Sequence, residues 1–121
     1  MLRTLRFPIG SQGVCGLGME PVMAAKIFIK RHIKAGRVEE ALQMINDFRK
    51  KAMDQPGYLS GETLVNHYDA RCLVVVSTWR TVEDWIRWQD SDARDCNEAL
   101  IEGLLDKPTA YEVFDIRSAT G

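Results

Sequence analysis

The chain has no excess of charge of either sign. Its 16 lysines and arginines face 17 aspartates and glutamates, for a formal net charge of -1, so nothing draws the molecule as a whole to nucleic acid or to an anionic membrane. No apolar run approaches the roughly 20 residues that a membrane-spanning helix needs. Cysteine is scarce and odd in number: Cys15, Cys72 and Cys96. No two have CxxC spacing, which argues against a metal site or a disulfide scaffold and points to a reducing, cytoplasmic setting. Histidine is scarcer, with only His32 and His67. HExxH, clustered metal ligands, a glycine-rich phosphate loop and a Ser/His/Asp pattern are all missing. At 121 residues there is room for one domain and not for two.

What is present is an ordinary globular balance, 45% hydrophobic and 27% charged. Residues 1–23 stand apart. Pro8, Gly10, Gly13, Gly16 and Gly18 interrupt them, so they have neither the apolar centre of a secretory signal nor the composition of a helix. They read as a flexible extension, with Met19 or Met23 as alternative starts. Residues 24–117 read as the folded domain, and residues 118–121 as a fraying tail.

Within the domain, AAKIFIKRHI (24–33) alternates for part of its length, with Ile27, Ile29 and Ile33 on one parity and Phe28 on the other, which predicts a strand. Residues 37–54 place Val38, Ala41, Leu42, Ile45, Phe48, Ala52 and Met53 on one helical side, with acids early and bases late, until Pro56-Gly57 ends the helix. YLSGETLVN (58–66) predicts a second strand in which Gly61 marks a bulge or a close approach. CLVVVSTW (72–79) predicts a third, hairpin-paired with it. Thr81 can cap a helix over 82–90 in which Val82, Trp85 and Ile86 share a face. A second helix begins after Asp90-Ser91, with Ala93, Cys96, Leu100 and Leu104 recurring at three or four. Cys72 and Cys96 read as small core residues. TAYEVFDIR (109–117) closes the chain as a fourth strand. This order is an α+β, ferredoxin-like split βαβ with a four-stranded antiparallel sheet and both helical segments on one face.

A sheet covered on one side alternates apolar and polar residues. The third strand does not: Cys72, Val74 and Val76 lie on one side, Leu73, Val75 and Trp79 on the other. Exposing such side chains forfeits roughly 1.5–3 kcal/mol each, so the bare face requires a cover. A second copy of the same sheet supplies one, making a homodimer; the alternative cover is the segment 1–23. An RNA-binding version of this fold would carry exposed aromatics within a basic face, and CLVVVSTW offers aliphatics.

The runs GRVEEALQMINDFRKKAMDQPGYLSGETLVN and VVVSTWRTVEDWIRWQDSD contain Pro56-Gly57-Tyr58 after the first helix, Trp79 ending the third strand, and Trp88-Gln89-Asp90-Ser91 in the helix that follows. In this ordered set the chain resembles the antibiotic biosynthesis monooxygenase family over residues 24–117. The resemblance implies a dimeric α/β barrel with sheets packed face to face. It also implies a small aromatic ligand, a phenol or quinol oxidised without metal or organic cofactor, with haem or flavin left open. Haem-degrading members use a first-strand asparagine, the tryptophan of the Trp-x-x-Ser helix and a histidine about ten residues later. Trp88 is present, but the asparagine position falls at Ile29 or Lys30 and the histidine position at Glu98.

Such an oxygenation needs a flat binding site, a path for one proton and exclusion of water. Trp79, Trp85 and Trp88 are the available walls: Trp85 lies on the apolar stripe and reads as core, Trp79 ends a strand and reads as packing, and Trp88, off the stripe at the family position, reads either as a cavity wall or as packing. Lys30, Arg31 and His32 crowd a strand that this topology makes central, where unpaired charge is costly. Either they reach water, or they pair with Glu62 and Glu112 across strands, or they line a polar cavity. The last reading makes His32 a general base and Lys30 and Arg31 holders of an anionic substrate. Tyr58, Asn66 and Tyr111 are further polar candidates, and His67 reads as a solvated turn residue. The same fold without turnover would be a binding module for a small molecule or haem.

Overall fold

A computed structural model of the chain describes residues 24–117. The expected extension, with Cys15, and the expected tail lie outside the described residues. The elements follow the expected order: β1 (Ala24–His32), α1 (Val38–Ala52), β2 (Tyr58–Val65), β3 (Cys72–Trp79), α2 (Val82–Gln89), α3 (Asp92–Glu102) and β4 (Ala110–Ile116). The four strands form one antiparallel sheet in the order β2-β3-β1-β4, the ferredoxin-like arrangement.

Strict alternation decides what β1 contributes to each face. Ala25, Ile27, Ile29 and Arg31 are buried, while Lys26, Phe28, Lys30 and His32 are only partly covered. The buried set faces the helices, where the core forms two apolar clusters. One gathers Ala25, Ile27, Ile29, Ala52, Trp79, Trp85 and Trp88. The other gathers Ile33, Ala41, Ile45, Leu73, Ile101 and Leu104. Val75 packs against both.

Local chemistry sets the helix ends. Thr81 Oγ1 accepts from the Asp84 amide at 3.1 Å, and Ser91 Oγ accepts from the Arg94 amide at 3.2 Å, so α2 and α3 are each capped by a side chain. Helix α1 stops at Ala52, and Met53, expected on its apolar side, is 58% exposed. The turn after it needs Gly57, whose φ is +89° and where a Cβ would drive into the Asp84 side chain. The irregularity of β2 falls between Tyr58 and Ser60, at Leu59 and not at Gly61. Gly61 is the close approach instead: a Cβ there would collide with the Tyr58 hydroxyl.

Helix α3 departs most from expectation. Its buried residues are Arg94, Asn97 and Ile101, one step round the helix from the anticipated stripe. Cys96 and Leu100 are exposed, so Cys96 is not a core residue, and Cys72 is only partly covered. Apolar count alone favours the anticipated phase; ion pairs and hydrogen bonds to the inward side chains stabilise the observed one.

The face away from the helices carries Phe28, Leu64, Val74, Val76 and Phe114 in register. Phe28 and Phe114 meet edge to face with centroids 5.5 Å apart. Leu64 and Phe114 remain 45% and 50% exposed. None of the described helices is long and apolar enough to cross a membrane.

Candidate active site

Between the helices and the sheet, where the two apolar clusters meet, lies a cavity of about 50 Å³ lined by residues from every element except α-to-strand turns and β4. Strand β1 lends Ile29 and Arg31, and α1 lends Ile45, Phe48, Arg49 and Ala52. Tyr58 closes one end from β2, and β3 supplies Val75, Ser77 and Trp79. Helix α2 brings Trp85 and Trp88, and α3 brings Arg94 and Asn97.

The aromatic half is a chain of edge contacts. Trp79 stands at 5.3 Å and 90° to Tyr58 and at 5.9 Å from Trp85, geometries that favour ring edges against ring faces. Trp79 Nε1 donates to Ser77 Oγ at 3.1 Å inside the core, which fixes the indole plane. Trp88 is held from the backbone side, where its carbonyl accepts from Ser91 Oγ at 2.7 Å. All three tryptophans of the sequence border this one space.

The polar half is cationic. Arg31 Nη2 and Arg94 Nη1 both donate to Glu98 Oε2, at 2.6 and 2.5 Å, and Thr109 Oγ1 donates to Glu98 Oε1 at 3.2 Å. Arg94 also donates to the Tyr111 hydroxyl at 3.0 Å, and its guanidinium lies 5.7 Å from the Trp85 ring centroid and 5.6 Å from that of Tyr111. Burial by itself would raise the Glu98 carboxyl, but the charges and hydrogen bonds of Arg31 and Arg94 outweigh it and hold it below the usual carboxylate range. Burial pushes the Tyr58 phenol up, against the pull of Arg49, so Tyr58 stays a neutral hydroxyl at neutral pH. Arg49 donates to Thr63 Oγ1, and Lys51 Nζ donates to Asn97 Oδ1 at 3.2 Å.

Of the residues singled out by sequence, the cavity brings together Arg31, Tyr58, Trp79, Trp85 and Trp88. It does not bring in the others. The pleat splits the basic cluster of β1: Arg31 turns inward, while Lys30 and His32 point to the opposite face. There Lys30 reaches Glu112 at 3.4 Å, one of the pairings anticipated. His32, expected as a general base, is thus separated from Trp88 by the sheet. Asn66 shapes the β2–β3 turn, where its Oδ1 accepts from the amides of Tyr68 and Asp69 at 2.8 and 3.0 Å. Sequence reasoning passed over Arg49, Arg94 and Asn97 as site residues. The available signal was Arg94 and Glu98 at i and i+4, a pair that faces inward once the phase of α3 is known.

Glu98 also occupies the position where the haem-degrading pattern places its histidine. Both of its oxygens are engaged by arginines or threonine, and a 50 Å³ cavity is far below what a porphyrin needs, so the residues present do not fit haem. Among the described residues, no group of three or more His, Cys, Asp or Glu side chains could hold a metal ion.

The chain is thus a small α+β protein, a ferredoxin-like domain with an aromatic, cation-rich cavity between its helices and its sheet. The chain belongs to the antibiotic biosynthesis monooxygenase family, whose sequence pattern matches residues 25–95. Several solved structures share the fold. A Nitrosomonas europaea protein provisionally assigned to the same family aligns with a TM-score of 0.75 at 12% identity, over 84% of this chain and 97% of that one. A variant of SnoaB, a cofactor-independent oxygenase from Streptomyces nogalater, aligns with a TM-score of 0.72 at 12% identity, over 80% and 96%. A conserved Methanosarcina mazei protein aligns with a TM-score of 0.71 at 16% identity, over 77% and 92%. No curated protein sequence matches the chain significantly.

Proposed function

We propose that the chain is a monooxygenase that oxidises a small aromatic phenol or quinol in the cavity between its sheet and helices, using no metal or organic cofactor. The observation that carries this reading is the convergence of Trp79, Trp85 and Trp88 on one cavity in a member of this family. An electron-rich ring held there meets dioxygen away from bulk water, and the ring itself supplies the electrons. Trp88, Trp79 and Tyr58 act as walls. Arg31 and Arg94 stabilise negative charge on the ring oxygen. Phe48, Arg49 and Tyr58 are only partly covered and form the side through which a ring enters, since a cavity of about 50 Å³ must open to admit one.

The test is oxygen consumption by the purified chain with a panel of one- to three-ring phenols and quinols, with isotope-labelled dioxygen to follow the incorporated atom. Incorporation of one label per turnover supports the reading, and no uptake with any of them sinks it. One observation favours the alternative of a binding module without turnover: no Asp, Glu or His side chain lines the cavity, so no strong proton acceptor stands ready.

The apolar face with Phe28, Val76 and Phe114 supports a homodimer through the sheet, which would remove Leu64 and Phe114 from water. The free thiols of Cys72 and Cys96 support a cytoplasmic setting.

A further inference from the structure

Burying a polar group without a partner costs roughly 1–3 kcal/mol, so a folded chain keeps few of them. Among the described residues, the buried side-chain atoms without a hydrogen-bond partner are Arg31 Nε, Arg49 Nε and Asn97 Nδ2. All are donors, and all belong to residues that line the same cavity. Asn97 is 1% exposed and Arg31 is 3% exposed, so neither is a surface group that water satisfies freely. The orientation of the Asn97 amide is fixed chemically: Lys51 Nζ, which can only donate, sits 3.2 Å from Oδ1, leaving Nδ2 as the free end.

Charge points the same way. Arg31 and Arg94 share one carboxylate, Glu98, and Arg49 has no carboxylate partner among the described residues. The lining therefore carries positive charge in excess and contains neither a carboxylate nor an imidazole. A ligand that offers only acceptors and arrives already ionised answers both conditions. A phenol with its ordinary pKa near 10 does not, because it must first lose a proton, whereas an aryl carboxylic acid is ionised throughout the neutral range.

We infer that the cavity recognises a small aromatic carboxylate, its oxygens taken by Asn97 Nδ2 and the Arg31 and Arg49 guanidiniums and its ring held among the tryptophans. The inference deepens the proposed function by naming the substrate class, but it concerns binding alone and stands or falls without turnover. A ring carrying both a hydroxyl and a carboxylate satisfies the two together.

Binding is read by fluorescence, because every tryptophan of the chain borders the cavity. The probes are benzoate, 4-hydroxybenzoate, benzamide and phenol, titrated without oxygen so that oxidation plays no part. The two carboxylates are expected to shift tryptophan emission saturably and to bind about tenfold or more tighter than benzamide, the difference a charged hydrogen bond makes. Asn97→Leu and, should that variant fail to fold, the half-exposed Arg49→Gln are each expected to weaken benzoate about tenfold and to weaken benzamide, whose carbonyl is a neutral acceptor, by clearly less. Equal affinity for benzoate and benzamide, the result if water alone satisfies these donors, would overturn the inference, as would binding of phenol with no binding of either carboxylate. Oxygen uptake with phenols but no carboxylate binding would leave the monooxygenase reading in place and remove this one. Carboxylate binding without any turnover would do the reverse.

Discussion

Arg31 on the central strand and Glu98 on α3 meet at 2.6 Å, a charged crosslink that ties the middle of the sheet to the last helix beside the cavity. Arg94, one helical turn from Glu98, joins the same oxygen at 2.5 Å. The arrangement makes one partly buried carboxylate responsible for placing two cavity guanidiniums.

Removing that carboxylate leaves two buried cations without a counter-charge. Glu98→Leu is expected to destabilise the fold by about 3–5 kcal/mol, read as a lowered urea midpoint at unchanged slope. A change below about 1 kcal/mol would mean the crosslink contributes no more than a surface pair.

The same group sets an acid response. Its folded pKa is depressed below the unfolded value, through Arg31 and Arg94 acting against burial. The stability it supplies is therefore fully present above the usual carboxylate range and is lost as pH falls through the folded value. The unfolding midpoint of the wild type should fall more steeply on acidification than that of Glu98→Gln, which has nothing to titrate there. Parallel profiles would show that other carboxylates govern acid unfolding.

Trp88 is 5% exposed and borders the cavity, so its loss affects both fold and site. Trp88→Ala is expected to cost about 3–5 kcal/mol, whereas Trp88→Phe preserves the fold and lowers oxygen uptake by about tenfold or more if the indole face holds the ring. Full activity in the folded Phe variant would reduce Trp88 to packing. His32→Asn, on the far side of the sheet, is expected to leave uptake within about twofold.

The open face gives an independent test. Phe114→Lys places a charge where Phe28 now makes its edge contact. Light scattering should then report a shift from dimer to monomer at micromolar concentration while the circular dichroism of the fold is retained. A wild-type chain that is already monomeric would remove the proposed interface.

The fold was legible because its signals are local. Alternation in β1, the Pro56-Gly57 turn and the caps at Thr81 and Ser91 each act within a few residues, and each element appears where its own chemistry puts it. The site was legible only in part. Trp88 and Tyr58 stood out by type and position, but Lys30, Arg31 and His32 looked like one cluster, although adjacent residues of a strand point to opposite faces. In α3 the apolar pattern of Ala93, Cys96, Leu100 and Leu104 pulled the expected phase away from Arg94 and Asn97. Arg94 is held inward by Glu98 and Tyr111 and Asn97 by Lys51, and two of those three partners come from other elements of the fold. A helix whose buried face is polar is specified by its tertiary partners, and its own periodicity conceals that.

Gly61 has a consequence out of proportion to its size. Because its backbone is bare, the Tyr58 phenol can lie down across it, and Tyr58 is part of the cavity's outer rim. The position of a cavity-lining ring is thus set by a residue that does not itself line the cavity. A methyl group at residue 61 would lever the phenol off its seat, and with it the edge contact to Trp79 and the pairing with Arg49, so a change there would reach the cavity wall at second hand.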